Sequence, residues 1–130
     1  MKLGINNSWS GSSLYNNGNP NNNAAMNDCR LDTLNENGEP DIIIVFIGAN
    51  DNVNGHTTTQ FENAYRSLLS KLEAKYPKAY VFCVNMGYSA YRSYNYKEET
   101  RLAYNEIIAR LCDEYQTKLI DLASVQTPET

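Results

Sequence analysis

The sequence predicts an α/β fold with layers of helix, sheet and helix, and three observations carry that expectation. An unbroken apolar run, Asp41-Ile-Ile-Ile-Val-Phe-Ile47, lies between Pro40 and Gly48. Two stretches, 59–76 and 97–116, repeat apolar residues at helical spacing. Strand-like and helix-like segments alternate, as right-handed crossovers around a parallel sheet require.

Taken in order, Lys2 to Asn6 reads as a short strand. The next stretch, to about Asn22, is crowded with Asn, Gly and Ser. Their side chains bond to nearby backbone and favour turns, so a long loop is expected, with Trp9, Leu14 and Tyr15 as its packing residues. A short helix with a thin apolar face follows from Asn23 to Leu34, ended by the turn-forming run Asn35 to Pro40. Asp41 to Ile47 is rich in β-branched residues without polar alternation, the pattern of a parallel strand covered on both faces.

From Thr59, the positions Phe61, Ala64, Tyr65, Leu68, Leu69 and Leu72 fall on one helical face. Thr59 and Glu62 are spaced as a capping box, and Pro77 stops the helix after Tyr76. Ala79 to Asn85 is a second apolar strand. Lys97 to Gln116 is a second long helix, through Tyr104, Ile107, Ile108, Leu111, Cys112 and Tyr115, and Lys118 to Leu122 is a last short strand. With no repeat and no linker, residues 1–130 read as a single domain.

With 42% apolar residues over 130 positions, the chain can bury a modest core. Eleven basic against fifteen acidic residues, with no basic run, leave no electrostatic footprint for nucleic acid or an anionic membrane surface. The longest apolar run is too short to span a bilayer. The first residues lack the basic-then-apolar pattern of a signal peptide, which leaves the localisation unknown, since a longer form could carry one and be secreted. Cys29, Cys83 and Cys112 are odd in number, widely spaced and without a CxxC or a His at metal-ligand spacing. They read as free thiols, mostly in the core, and neither a metal nor an organic cofactor is implied.

Ligands of an open parallel sheet bind beyond the carboxyl ends of its strands, so the residues that follow each strand carry the chemistry. Gly48-Ala49-Asn50-Asp51-Asn52 is the densest such group. By itself it is equally well a turn closed by Asx hydrogen bonds.

The apolar strand that delivers Gly48-Ala49-Asn50-Asp51 resembles the third conserved block of SGNH (GDSL-like) hydrolases. Asn6-Asn7-Ser8-Trp9-Ser10-Gly11-Ser12, after a short strand, resembles the family's second block. The resemblance extends through the helix, strand, helix and strand ending at Asp121-Leu122. It implies a three-layer fold around a parallel flavodoxin-like sheet, here truncated at both ends into a partial domain. It also implies serine-dependent hydrolysis of acyl esters or carbohydrate acetyl esters. Carried over, the oxyanion hole falls to the backbone N–H of Gly11 and the side chain of Asn50, with Ser10 and Asp51 beside them as substrate-binding candidates. Glycine allows close backbone approach, and a fixed amide stabilises developing negative charge.

The departures from that pattern are specific. No Gly-Asp-Ser, the block that supplies the nucleophile, occurs in the sequence, and no His follows Leu122. Ser8, Ser10, Ser12 and Ser13 with His56 are conceivable replacements, but loop serines bonded to backbone and a lone His on a surface turn are the expected reading. Asp121, with no His three residues on, is expected to be structural. This chain is therefore expected to be inactive on its own.

Tyr88, Tyr91, Tyr94 and Tyr96 cluster after the Ala79 to Asn85 strand, and Tyr88 and Tyr91 are candidate walls of a pocket for a small-molecule or carbohydrate ester. Arg92 is a candidate for a carboxylate. In the family's sheet a strand lies between those that here would be Lys2 to Asn6 and Asp41 to Ile47. Its absence predicts either direct pairing of the two or completion of the sheet by a second copy in a homo-oligomer. A non-catalytic, sugar-binding module of the same fold is the alternative function. A flavodoxin-like cofactor-binding module ranks last, for want of a Gly-rich phosphate loop.

Overall fold

The Asp41 to Ile47 run forms the first strand of a parallel sheet, in a computed structural model that describes residues 4–8, 12–16, 24–87 and 95–125. Strand β1 is Ile42–Val45, β2 is Tyr80–Val84 and β3 is Lys118–Ile120, hydrogen-bonded in the order β1-β2-β3. All pairings are parallel, with Ile42 opposite Tyr80, Val45 opposite Cys83, and Cys83 opposite Leu119. Among the described residues, four α-helices accompany the strands, α1 Asp28–Leu31, α2 Ala49–Val53, α3 Thr58–Lys75 and α4 Glu98–Tyr115, with a 3-10 turn at Leu122–Ser124.

The two long helices form because their apolar faces find each other and the sheet. Phe61, Tyr65, Leu68, Leu69 and Leu72 of α3 and Tyr104, Ile107, Ile108 and Leu111 of α4 are buried with Ile43, Val45 and Cys83. Phe61 and Tyr104 stack at 3.8 Å between ring centroids and 4° between planes. The N-terminus of α3 is closed two residues earlier than the spacing suggests. Thr57 accepts from the Gln60 N–H at 3.1 Å and Gln60 accepts from the Thr57 N–H at 2.9 Å, so the capping box is Thr57 with Gln60 rather than Thr59 with Glu62.

Two further expectations change. The first helix shrinks to four residues, because only Arg30 and Leu31 of its face are buried and its Asn-rich flanks settle into turns. Gly4 to Asn6 form no strand, while Lys2 and Leu3 lie outside the described residues. Side chains hold this segment off the sheet: Asn37 donates to the Gly4 carbonyl at 2.7 Å, and Arg30 donates to the Asn7 carbonyl. Among the described residues no direct pairing with β1 is formed, and a cavity of about 560 Å³ separates Ile5 to Ser8 from β1.

Alternation along the strands sorts the two sheet faces. Ile43 and Val45 point to α3 and α4, while Ile44, Phe46 and Tyr80 stay 64%, 61% and 69% exposed on the other face. Among the described residues β1 is thus buried on one face, not both as its apolar run suggests.

Candidate active site

Beyond β1 the backbone turns through Gly48, whose φ of 136° suits glycine. A Cβ there would sit 3.1 Å from Met86 Cε and 3.2 Å from Phe61 Cε2, so those side chains would have to give by a few tenths of an ångström to admit one. Gly48 caps α2, and this one-turn helix, expected only as a turn, projects a run of polar side chains into the molecule.

Each of those side chains fastens a different piece of distant chain. Asn50 Nδ2 donates to the Ser12 carbonyl at 2.8 Å. Asp51, fully buried, accepts from the Leu14 N–H at 2.8 Å and the Tyr15 N–H at 3.0 Å. Asn52 donates to the Lys97 carbonyl and accepts from the Lys97 N–H, both at 2.8 Å, which anchors the start of α4. Asn54 donates to Ser13 Oγ at 3.1 Å. These are long-range ties rather than the local Asx bonds of a simple turn, and they hold residues 12–15 against α2.

His56 is not a lone surface residue. Its Nδ1 donates to Asp51 Oδ1 at 2.9 Å, its side chain is 14% exposed, and its ring meets Tyr15 edge-on at 5.0 Å. Tyr104 donates its hydroxyl to the His56 carbonyl, and burial of that phenol, with Asp51 nearby, pushes its pKa well up. Two of the candidate serine hydroxyls engage elsewhere: Ser13 accepts from Asn54, and Ser12 accepts from Arg30. Arg30 is buried, and the loss of water around its guanidinium lowers its pKa.

The 560 Å³ cavity has a polar end at Asn7, Ser12, Arg30 and Asn50 and an apolar length along Ile42 to Ile47. Asn50 thus stands at the junction of a hydrophobic groove and a cluster of donors. Of the other expected site residues, Ser10, Gly11, Tyr88, Tyr91, Arg92 and Tyr94 lie outside the described residues, while Tyr96 is half-buried. Asp121 links strand ends, accepting from Asn85 Nδ2 at 2.8 Å and from the Ser124 N–H at 3.2 Å. Sequence reasoning missed Arg30 and Asn54, and it placed Asn52 in the candidate group without a role of its own. The only signal for Arg30 was an arginine beside Leu31 on a helix with few apolar residues. Among the described residues no group of three or more His, Cys, Asp or Glu is placed to hold a metal, and no helix is long and apolar enough to cross a membrane.

The model of the GDSL-like lipase/acylhydrolase family matches residues 3–129. The chain belongs to that family. Solved structures agree in fold. The psychrotrophic esterase EstA from Pseudoalteromonas sp. is similar with a TM-score of 0.63 at 20% identity, over 85% of this chain and 52% of that one. A protein from Lactobacillus plantarum is similar with a TM-score of 0.65 at 20% identity, over 88% of this chain and 59% of that one. The GDSL-like chain described here therefore spans between half and three-fifths of the length of these two structures. No curated protein sequence matches it. For a GDSL-like hydrolase the parallel sheet, the Gly48-x-Asn50-Asp51 turn at the end of β1 and the loop fastened to it form one consistent unit.

Proposed function

We propose that this chain supplies the oxyanion-binding part of an ester hydrolase acting on acyl esters or carbohydrate acetyl esters. The observation that carries the proposal is the placement of Asn50. Its amide sits at the carboxyl end of β1 beside the cavity, and one of its hydrogens is committed to the Ser12 carbonyl at 2.8 Å. A side-chain amide has two hydrogens, so the bond to Ser12 fixes the plane of the group and leaves the second N–H available to a ligand oxygen. In this reading Gly11, next to Ser12, contributes a backbone N–H to the same oxygen. Such donors stabilise charge that develops on the carbonyl oxygen when a nucleophile adds, and removal of one typically costs about a hundredfold to a thousandfold in turnover.

Asp51 is assigned a positioning role rather than substrate contact, because its carboxylate is enclosed by Leu14, Tyr15 and His56. Ser10, Tyr88 and Tyr91 remain the proposed substrate contacts. A hydrolysis cycle also needs a nucleophile and a base. The sequence contains neither a Gly-Asp-Ser nor a His beyond Leu122, so residues 1–130 alone are proposed to be inactive. A second copy that completes the sheet beside β1 is part of the same proposal, since β1 stands at the edge of the sheet among the described residues.

The test is hydrolysis of p-nitrophenyl acetate by the purified chain beside His56→Gln and Ser12→Ala. The expected result is a rate at the buffer background in all three. Turnover by the parent chain that either substitution abolishes would contradict the assignment and place a nucleophile or base inside residues 1–130.

A further inference from the structure

The sheet buries one face and leaves much of the other in water. Ile43, Val45 and Cys83 pack with α3 and α4 on the covered face. Register and alternation gather Ile42, Ile44, Phe46, Tyr80 and Ile120 on the opposite face, since Ile42 pairs with Tyr80, Ile44 with Phe82, and Val84 with Ile120. Ile42 and Ile120 are each 40% exposed, and Ile44, Phe46 and Tyr80 are more exposed still. Parallel sheets occur almost only with both faces covered, so a surface of this kind is half of a contact.

Its area suits a pairing of equals. At ordinary side-chain sizes the five residues expose about 600 Å², the upper end of what the largest apolar patch on a monomer reaches. Two copies laid face to face remove about 1,200 Å² in all, which is where specific, stable interfaces begin.

The chemistry of the patch also selects a second copy as the occupant. Among the described strand residues of that face the one charged side chain is Lys118, beside Phe82 on the outer strand β3, where a long side chain can reach past the contact to water. An apolar surface without a pattern of charges is its own complement, as a two-fold contact requires. Sheets stacked about 10 Å apart, with strands crossing near −30°, let such side chains interdigitate.

We propose that two copies of this chain pair through the open face of the sheet, with Ile44, Phe46 and Tyr80 at the centre of the contact. The contact is separate from strand addition beside β1, which lengthens the sheet and leaves its face in water. It also stands apart from the oxyanion reading, which concerns the turn after β1.

Sedimentation velocity over a series of concentrations tests the pairing, on the parent chain beside Tyr80→Glu, Ile120→Glu and Leu102→Glu. Tyr80 lies on β2 and Ile120 on β3, away from the β1 edge, so a charge at either opposes face packing and spares strand addition there. Leu102 is exposed on α4, which covers the opposite face, and serves as the control. The parent should form a dimer with a Kd on the order of 10 µM. Tyr80→Glu and Ile120→Glu should each weaken it about tenfold or more, and Leu102→Glu should leave it unchanged. Circular dichroism checks the fold of each variant, and either of the two face variants decides should the other fail to fold. A parent chain that stays monomeric through about 100 µM, assemblies that grow past two copies, or a dimer that neither face variant weakens would overturn the proposal.

Discussion

Asn50 donates its side-chain amide to the carbonyl of Ser12 across 38 residues of sequence, at 2.8 Å. With Asp51 holding Leu14 and Tyr15 and Asn54 holding Ser13, the loop is tied to α2 at four consecutive residues. Removing any one of these ties should loosen the loop before it unfolds the domain.

Asp51→Asn tests this most severely. The carboxylate receives three donors in a buried site, and an amide at the same place presents an N–H to at least one of them. The expected loss is about 2–4 kcal/mol, from a donor left without a partner and a repelling contact. Urea unfolding measures the loss, and hydrogen exchange should show faster exchange at the Leu14 and Tyr15 amides than at α3. Equal exchange rates in the variant and the parent would remove Asp51 from the clamp.

Gly48→Ala should be costly for two separate reasons, the positive φ and the contacts with Met86 and Phe61. A strained non-glycine residue costs on the order of 1–3 kcal/mol, and the crowding adds to it. A melt within a degree of the parent would contradict the described turn.

At the start of α3, Thr57→Ala should destabilise by about 1 kcal/mol and Thr59→Ala by much less, because Thr57 makes the cap bond. Chemical denaturation of the two variants measures the difference. The reverse order would restore the box that the sequence spacing suggests.

Burial raises the pKa of both Tyr65 and Tyr104. Phenols raised in the folded state stabilise it fully below their unfolded value of about 10, and that contribution is lost as pH climbs toward the folded values. Stability followed by circular dichroism should therefore fall above about pH 10. Tyr65→Phe, which removes one of the two phenols, should make that fall shallower. A slope identical to the parent's would mean that Tyr65 ionises freely.

The long apolar patterns made much of the fold legible. β1, α3 and α4 were readable because β-branched runs and helical spacing each demand one kind of burial. α2 was not, because Ala-Asn-Asp-Asn-Val contains poor helix formers whose side chains usually serve turns. Gly48 starts it, and bonds to Ser12, Leu14, Tyr15 and Lys97 hold it, and none of these partners is near in sequence. The same reason hid the pairing of His56 with Asp51 and of Arg30 with Ser12, since tertiary structure chooses those partners. The short strand expected at Lys2 to Asn6 failed at Gly4 to Asn6 because Asn37 and Arg30 bond to that segment instead of β1.

The oxyanion site stands or falls with the second N–H of Asn50 being offered to an anionic oxygen. Titration of the ¹⁵N-labelled chain with inorganic phosphate, a tetrahedral anion, reads that group directly by nuclear magnetic resonance. Saturable shifts are expected at the Asn50 side-chain amide and at the Gly11 amide, absent in Asn50→Ala, whose spectrum elsewhere keeps the parent's pattern. Shifts confined to other residues, or unchanged binding in Asn50→Ala, would contradict the assignment of an oxyanion site to this turn.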